Sequence, residues 1–392
     1  MILYILMMAG ILIAGLFRTG QSNPIEVRQG EFGGIEIRRK SYYAIFILFM
    51  LWFFLAFRAS VIGSDTPRYV ETFDRIAKEV GGSRGGFWSN LFVADEGSRY
   101  ETGYIVLNRI VALFTDNSQW ILILVATFCM FVCYRFVVNE SKEIMLSLFL
   151  FVSLRLYYFL MSGLRQAIAI YICLIAYRFI KQRKLIPFIL LVILATQFHV
   201  TAIVFLIAYP ISYFKFNFQN ILWMGAAGVA VFVGFNSILG KVLTFLPEYY
   251  SEYQNSERFE SYKTGNIIVA IIQVIFLVIS IFSKYGMDHS GRKTGFVQKE
   301  FDEASFMKFM LLVSILFSLV SLRATTLDRL YYYFWIFSII CIPNMLQEIE
   351  RDTDRATLTV GTVVFTFLYN IVLLYFRPDW TNITPYLFFW QE

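Results

Sequence analysis

The chain has 392 residues, 58% of them hydrophobic and 16% charged, with a mean hydropathy of +0.62. Soluble domains run at about 45–50% apolar and about 25% charged, so a water-soluble globule is excluded. The net charge of +6 makes no case for nucleic acid, because Lys and Arg stand in short loops beside apolar runs, as in the cytoplasmic loops of membrane proteins.

The apolar residues gather in runs of the length that crosses a bilayer as helix, about 17–25 residues. A β-barrel would instead show short alternating segments. Taken in order, the runs predict spans at 2–17, 41–57, 119–138, 144–160, 164–180, 218–238, 266–283, 306–322, 330–347 and 357–375. The fold class expected is therefore all-α, with roughly ten transmembrane helices in one integral membrane domain over 1–392. The first run has no basic residue before it and Arg18 behind it, the order of a retained anchor with its start outside.

Charge sorts the loops. Segments 18–40, 181–184, 284–304 and 348–356 carry lysines and arginines beside the apolar runs and are placed in the cytoplasm. Segments 58–103 and 239–265 are mixed or acidic and become the large outer loops. Within 58–103, Phe87, Trp88, Leu91 and Phe92 have helical spacing, which predicts a short interfacial helix. The apolar run 104–114 is too short to span, so it dips into the membrane or lies flat. Residues 185–209 break the alternation. They are long enough for one span, yet Lys184 and Lys215 both look cytoplasmic, and Thr196, Gln197, His199 and Thr201 make the centre polar. Two short helices meeting near His199, a broken or re-entrant pair, reconcile these facts, because irregular backbone at membrane depth is tolerated where it lines a cavity.

Cys129, Cys133, Cys173 and Cys341 all lie within apolar runs, where thiols are core filler rather than disulfide or metal partners. No loop carries a phosphate-cradling glycine motif placed to bind a nucleotide, and Gly81–Gly86 reads as a hinge in an outer loop. Neither a cofactor nor a metal is expected. Charges within or beside spans are costly, about 2.5–3.5 kcal/mol for a central Arg on translocon scales. Those present are Arg58, Arg155, Arg165, Arg323 and Arg329, with His199 the one histidine in such a position. Arginine forks suit phosphate oxygens and stay charged when partly buried, so the set points to anion binding. Each arginine alone could equally snorkel or pair locally, as Arg329 could with Asp328. A buried histidine is often a structural hydrogen-bonder; at a helix break it can also take a proton from a hydroxyl. Asp65, Tyr69, Glu101 and Tyr104 join from the first outer loop, and Tyr249, Tyr250, Tyr253 and Tyr262 from the second, where tyrosines suit sugar faces and the interfacial belt alike.

Four motifs in order resemble a known family. They are Gly63-Ser64-Asp65-Thr66-Pro67-Arg68-Tyr69, Glu101-Thr102-Gly103-Tyr104-Ile105-Val106-Leu107-Asn108, Ser162-Gly163-Leu164-Arg165-Gln166-Ala167-Ile168-Ala169 and Phe198-His199-Val200-Thr201-Ala202. Leu327-Asp328-Arg329-Leu330-Tyr331-Tyr332 adds a weaker echo in the later half. Their order and spacing resemble the EpsG-like, Wzy-type polysaccharide polymerases of bacterial membranes, which make exopolysaccharide, capsule or O-antigen. The resemblance implies an all-α fold similar to the GT-C-like glycosyltransferases that use polyprenyl-linked donors. It implies joining of oligosaccharide repeat units carried on undecaprenyl diphosphate, at the outer face of the plasma membrane, beside the pathway's flippase and chain-length regulator. Asp65, Arg165, Gln166 and His199 fall on the family's recurrent positions. On this reading Arg165, His199 and Asp65 carry the chemistry. Arg58, Arg155, Gln166, Tyr69, Glu101, Arg323, Arg329 and Tyr332 would hold the lipid-linked substrate. A glycan ligase using the same donor is the nearest alternative, and a flippase for it the next; the absence of an internal repeat speaks against transport.

Overall fold

The computed structural model describes residues 1–17, 25–29, 35–39, 41–82, 91–92, 100–234, 263–283, 285, 300–322 and 325–392. The interfacial helix expected at Phe87–Phe92, the second outer loop with its tyrosines, His289 and Arg323 lie wholly or largely outside the described residues.

Each of the ten apolar runs carries helix. In chain order the elements are α1 (Ile2–Leu16), β1 (Ile25–Gln29), β2 (Ile35–Arg39), α2 (Tyr42–Ala56), α3 (Thr66–Gly82), α4 (Thr102–Ala112), α5 (Gln119–Glu140), α6 (Ile144–Ser153), α7 (Leu156–Ser162) and α8 (Leu164–Lys181). There follow α9 (Leu185–Thr196), a 3-10 helix (Val200–Ile207), α10 (Ala208–Ile211), α11 (Phe218–Val233), α12 (Lys263–Phe282) and α13 (Glu303–Val320). A second 3-10 helix (Thr325–Tyr331), α14 (Tyr332–Trp335), α15 (Ser338–Gln347) and α16 (Asp352–Phe376) complete the set used below. Among the described residues, α5, α13 and α16 are long and apolar enough to cross a membrane, and α6 with α7, a pair bent by 50°, has the length and composition of a broken span or a re-entrant loop. The protein is thus a helical membrane protein. A helix of 15 residues such as α1 or α2 is about 22 Å long, short of the roughly 30 Å hydrocarbon core.

The all-α class holds, with one short antiparallel hairpin in segment 18–40, β1 with β2, in register Ile25↔Arg39 and Val27↔Ile37. Two expectations are corrected. Run 144–160 is not straight: Arg155 adopts the left-handed conformation with φ of 66° and divides α6 from α7. Run 330–347 is divided too, because its aromatic residues are held on both sides: Phe334 stacks on Phe317 at 5.2 Å and Phe337 on Phe205 at 6.1 Å. Tertiary packing, not helical period, sets the backbone there.

The contacts divide the described chain into two compact units: Met1–Ile175, Ile193–Val200 and Glu350–Glu392 in the first, Ala176–Val192 and Thr201–Ile349 in the second. In the first unit α2 lies along α5, α1 along α6 and α3 along α4. Apolar side chains fill it, and sparse polar ties fix the register as interhelical hydrogen bonds do in membrane bundles. Trp52 Nε1 donates to Thr127 Oγ1 (2.9 Å), Tyr157 to the Leu51 carbonyl (2.7 Å), and Asn370 Nδ2 to the Tyr158 hydroxyl (3.0 Å). Arg58, Gly63, Ser162 and the segment after α16 meet at one end. At the other end Ser41 meets Tyr134, and Gly15 meets Met145.

In the second unit, α12 lies along α13. Stretch 185–209 turns back on itself. α9 ends at Thr196 and the 3-10 helix starts at Val200. Phe188 on one arm packs on Phe205 (6.0 Å) and Tyr209 (5.2 Å) of the other. At the base, Arg183 donates to the Ser212 hydroxyl (2.6 Å) and carbonyl (3.0 Å) and stacks on Tyr213 (4.0 Å). Both flanks of the stretch therefore leave from the same place, as the basic residues on each side required.

Candidate active site

Three of the sequence motifs converge in the first unit. Glu101 is the residue before α4, and its carboxylate is the hub. One oxygen, Oε2, pairs with Arg165 Nη1 in the first turn of α8. The other, Oε1, meets His199 Nδ1 at 3.2 Å and accepts the Val200 backbone N–H at 3.1 Å. The backbone sets this geometry. The Gly103 N–H donates to the Gln197 carbonyl (2.8 Å), so the start of α4 is laced to the turn that carries His199. A Cβ at Gly103 would stand 2.6 Å from the Gln197 oxygen, which explains a glycine in that motif.

The guanidinium of Arg165 is sandwiched as well as paired. It lies 4.4 Å from the Tyr100 ring and 6.0 Å from that of Tyr69, and Tyr69, Tyr100 and Tyr104 pack edge to face or tilted at 5.5–5.9 Å. Cation–π contact and a charge-assisted hydrogen bond together fix the arginine. Arg165, Glu101 and His199 keep 15%, 11% and 13% of their side-chain surface, so the cluster sits in a recess that solvent still reaches. Burial alone raises the Glu101 carboxyl. The hydrogen bond with His199 and the Arg165 charge outweigh it and hold Glu101 below the usual carboxylate value. Glu101 is therefore an anion at neutral pH. With His199 Nδ1 engaged by a carboxylate, the neutral ring is held in the tautomer that leaves Nε2 as its base.

The first motif docks on the third. Gly63 has φ of +97° and packs so closely that a Cβ would fall 2.0 Å from the Met161 carbonyl oxygen. That carbonyl accepts from Thr66 Oγ1 (2.7 Å), while the Ser64 N–H donates to Ser162 Oγ (3.3 Å). These ties fix the break at Ser162-Gly163, two residues before Arg165. Asp65 is half-buried at the entry to α3, where its carbonyl accepts from the Tyr69 N–H (3.3 Å). Gln166 is buried on α8.

Arg58 is almost wholly buried. Its terminal nitrogens donate to the carbonyls of Leu55 and, at 3.4 Å, Met161. Burial pushes its guanidinium down to about 10, still charged at neutral pH. It ties α2 to the α7–α8 break and is not presented to solvent. Arg155 is buried at the bend between α6 and α7. In the second unit, Arg329 lies half-buried in the 3-10 helix Thr325–Tyr331, and Tyr332 opens α14, stacked on Tyr331 at 4.4 Å.

The sequence places Glu101 among the substrate-binding candidates; its place as the shared acceptor for Arg165, His199 and Val200 follows from tertiary contact. Tyr100 and the tying role of Gln197 were not foreseen, and a Tyr beside Glu101 in the second motif is the only sequence signal for the former. Among the described residues no group of His, Cys, Asp and Glu could hold a metal ion.

No curated protein and no solved structure matches the chain. The EpsG family model matches residues 41–388, a stretch that takes in all four motifs and the whole cluster. The chain belongs to the EpsG family, which assigns it a polymerase-like role in polysaccharide biosynthesis.

Proposed function

We propose that the protein polymerises undecaprenyl-diphosphate-linked oligosaccharide repeat units at the outer face of the bacterial plasma membrane, with about ten spans in a GT-C-like arrangement. The observation that carries this is the carboxylate–histidine pair Glu101–His199, braced by Arg165 and assembled from three separate motifs. His199 Nε2 takes the proton from an acceptor sugar hydroxyl as that oxygen attacks the anomeric carbon of the donor. One carbon–oxygen bond forms, the bond from the anomeric carbon to the diphosphate oxygen breaks, and the diphosphate leaves with its electron pair. The proton on His199 then passes to water. Glu101 holds the ring in the productive tautomer and stabilises the imidazolium, the role a carboxylate plays behind a catalytic histidine. Arg165, its charge committed to Glu101, positions that carboxylate. Asp65, Tyr69 and Gln166 are further candidates in the first unit for contact with the lipid-linked substrate. The pathway's flippase and chain-length regulator are the expected partners.

A positioned general base contributes about 10²–10⁴-fold. Chain growth by purified protein on a lipid-linked repeat unit should therefore fall by about that factor in His199→Ala, with protein level and donor binding kept. Polymer made by His199→Ala at near wild-type rate would remove the histidine from the reaction.

A further inference from the structure

Gly163 interrupts the helix between α7 and α8 with φ of −103° and ψ of 63°, so the helical ladder does not by itself fix where α8 begins. Arg165 stands in the first turn past that break. A tie from outside the two helices holds it, and it runs through one hydroxyl. Ser162, 6% exposed, accepts the Ser64 N–H at its Oγ (3.3 Å) and donates from the same atom to the Thr381 carbonyl (3.2 Å). A hydroxyl has one hydrogen to give and lone pairs to receive, so a single side chain can join two segments in this way. The next carbonyl, of Asn382, accepts the Gly63 N–H (2.9 Å). Thr381 and Asn382 thus tie the first motif and the break in the third at once. The residues that follow are laid along the end of α2 and the loop after it. The Ala59 N–H donates to the Leu387 carbonyl (2.9 Å), the Phe389 N–H to the Phe57 carbonyl (3.1 Å), and the Tyr386 hydroxyl to the Phe54 carbonyl (2.7 Å). Glu392 Oε1 accepts the Ser60 hydroxyl (2.7 Å) and the Val61 N–H (3.2 Å). Asn382 turns the chain into this course with φ of 47°, the left-handed region that asparagine enters more readily than most side chains.

We infer that residues 381–392 form a positioning strap for the catalytic cluster: through the Ser162 hydroxyl they set the start of α8, and with it the guanidinium that braces Glu101 against His199. Ser162 is the positioning residue, and it acts through Arg165. That the cluster performs chain growth rests on the polymerase reading; that the strap sets Arg165 does not. Glu101 divides its two oxygens between Arg165 and His199, so a shift of the first turn of α8 moves the carboxylate off the imidazole. A misplacement of about 1 Å can cost about 10²-fold in rate. The strap is thereby more than an anchor for the end of α2: the same two carbonyls that dock it also align the arginine.

The test uses full-length protein in nanodiscs, with chain growth on a lipid-linked repeat unit expressed per folded protein. Ser162→Ala removes both hydroxyl bonds and should lower kcat by up to about 10²-fold while KM for the lipid-linked unit stays unchanged. Asn382→Gly enters the left-handed region freely and should keep wild-type turnover; Asn382→Val, β-branched, cannot hold it and should lose turnover as Ser162→Ala does. A double-mutant cycle separates positioning from stability. Groups that act through one another are non-additive, so Ser162→Ala should slow Arg165→Lys little further, although the two changes still add in melting temperature. Wild-type turnover in Ser162→Ala, whatever its melting temperature, overturns the strap's role, as do rate losses that multiply in the double variant. If the wild type makes no polymer from lipid-linked units, the polymerase reading falls and hydrogen exchange reads the strap. Faster exchange in both 164–168 and 101–104 of Ser162→Ala upholds it, and unchanged exchange in either overturns it.

Discussion

At the scale of single residues, the account turns on Glu101. Its carboxyl sits below the usual value in the folded protein, so folding favours the charged form. That contribution to stability is complete above the unfolded value of about 4.3 and disappears as pH falls through the lower folded value. The stability difference between wild type and Glu101→Gln should therefore be constant at neutral pH and shrink in acid below about pH 4. Chemical denaturation across that range measures it; a difference that instead grew in acid would mean that Glu101 is protonated in the fold. Arg165 is held by a planar contact with Tyr100 as well as by its charge. Arg165→Lys should then lose most of the activity that Arg165→Ala loses, because an ammonium cannot stack and pair in the same geometry. Full activity in Arg165→Lys, read in the chain-growth assay, would reduce the residue to a point charge.

At the scale of elements, the turned-back pair α9 and Val200–Ile207 presents His199. Its outline was legible: basic residues at both flanks and a polar centre leave few alternatives for a 25-residue apolar run. The alternation Ile25-Glu26-Val27-Arg28 against Ile35-Glu36-Ile37-Arg38 is the period of a hairpin, legible in the sequence though too short to stand out beside the apolar runs. The bend at Arg155 was not legible, since neither glycine nor proline marks it and the left-handed conformation is enforced by packing. Gly103→Ala should act on this element. Its Cβ would strike the Gln197 carbonyl and displace the turn two residues before His199. A misplacement of about 1 Å can cost about 10²-fold, so activity should drop by roughly that while the protein still folds. Unchanged kinetics in Gly103→Ala would show that the turn is not held by this contact. Arg183→Ala should loosen the base of the pair and speed hydrogen exchange in 185–211; unaltered exchange there would assign the base to Phe188 and Phe205 instead.

For the molecule as a whole, the sequence established a helical membrane protein and the order of its apolar runs, and four ordered motifs led to the family. Sequence reasoning missed how the motifs use one another. Gly63 and Thr66 brace Met161, Gly103 braces Gln197, and Glu101 joins two residues far along the chain; such pairings leave no periodic trace. The sidedness assigned from loop charge predicts a labelling pattern. The four native cysteines are buried, which keeps the background low. Single cysteines in 58–103 and after α16 should react with an impermeant thiol reagent on intact cells, and those in 284–304 should not. Reaction at 284–304 from outside would invert the map and move the cluster to the cytoplasmic face.

The claim that Glu101 and His199 act as one catalytic unit is tested most directly by a double-mutant cycle on chain growth, with Glu101→Gln, His199→Ala and the pair in purified protein at equal donor occupancy. Groups that act as a unit are strongly non-additive. The account predicts that each single change slows growth and that the double variant is no slower than His199→Ala alone. Losses that multiply in the double variant, or a Glu101→Gln enzyme as fast as wild type, would contradict it.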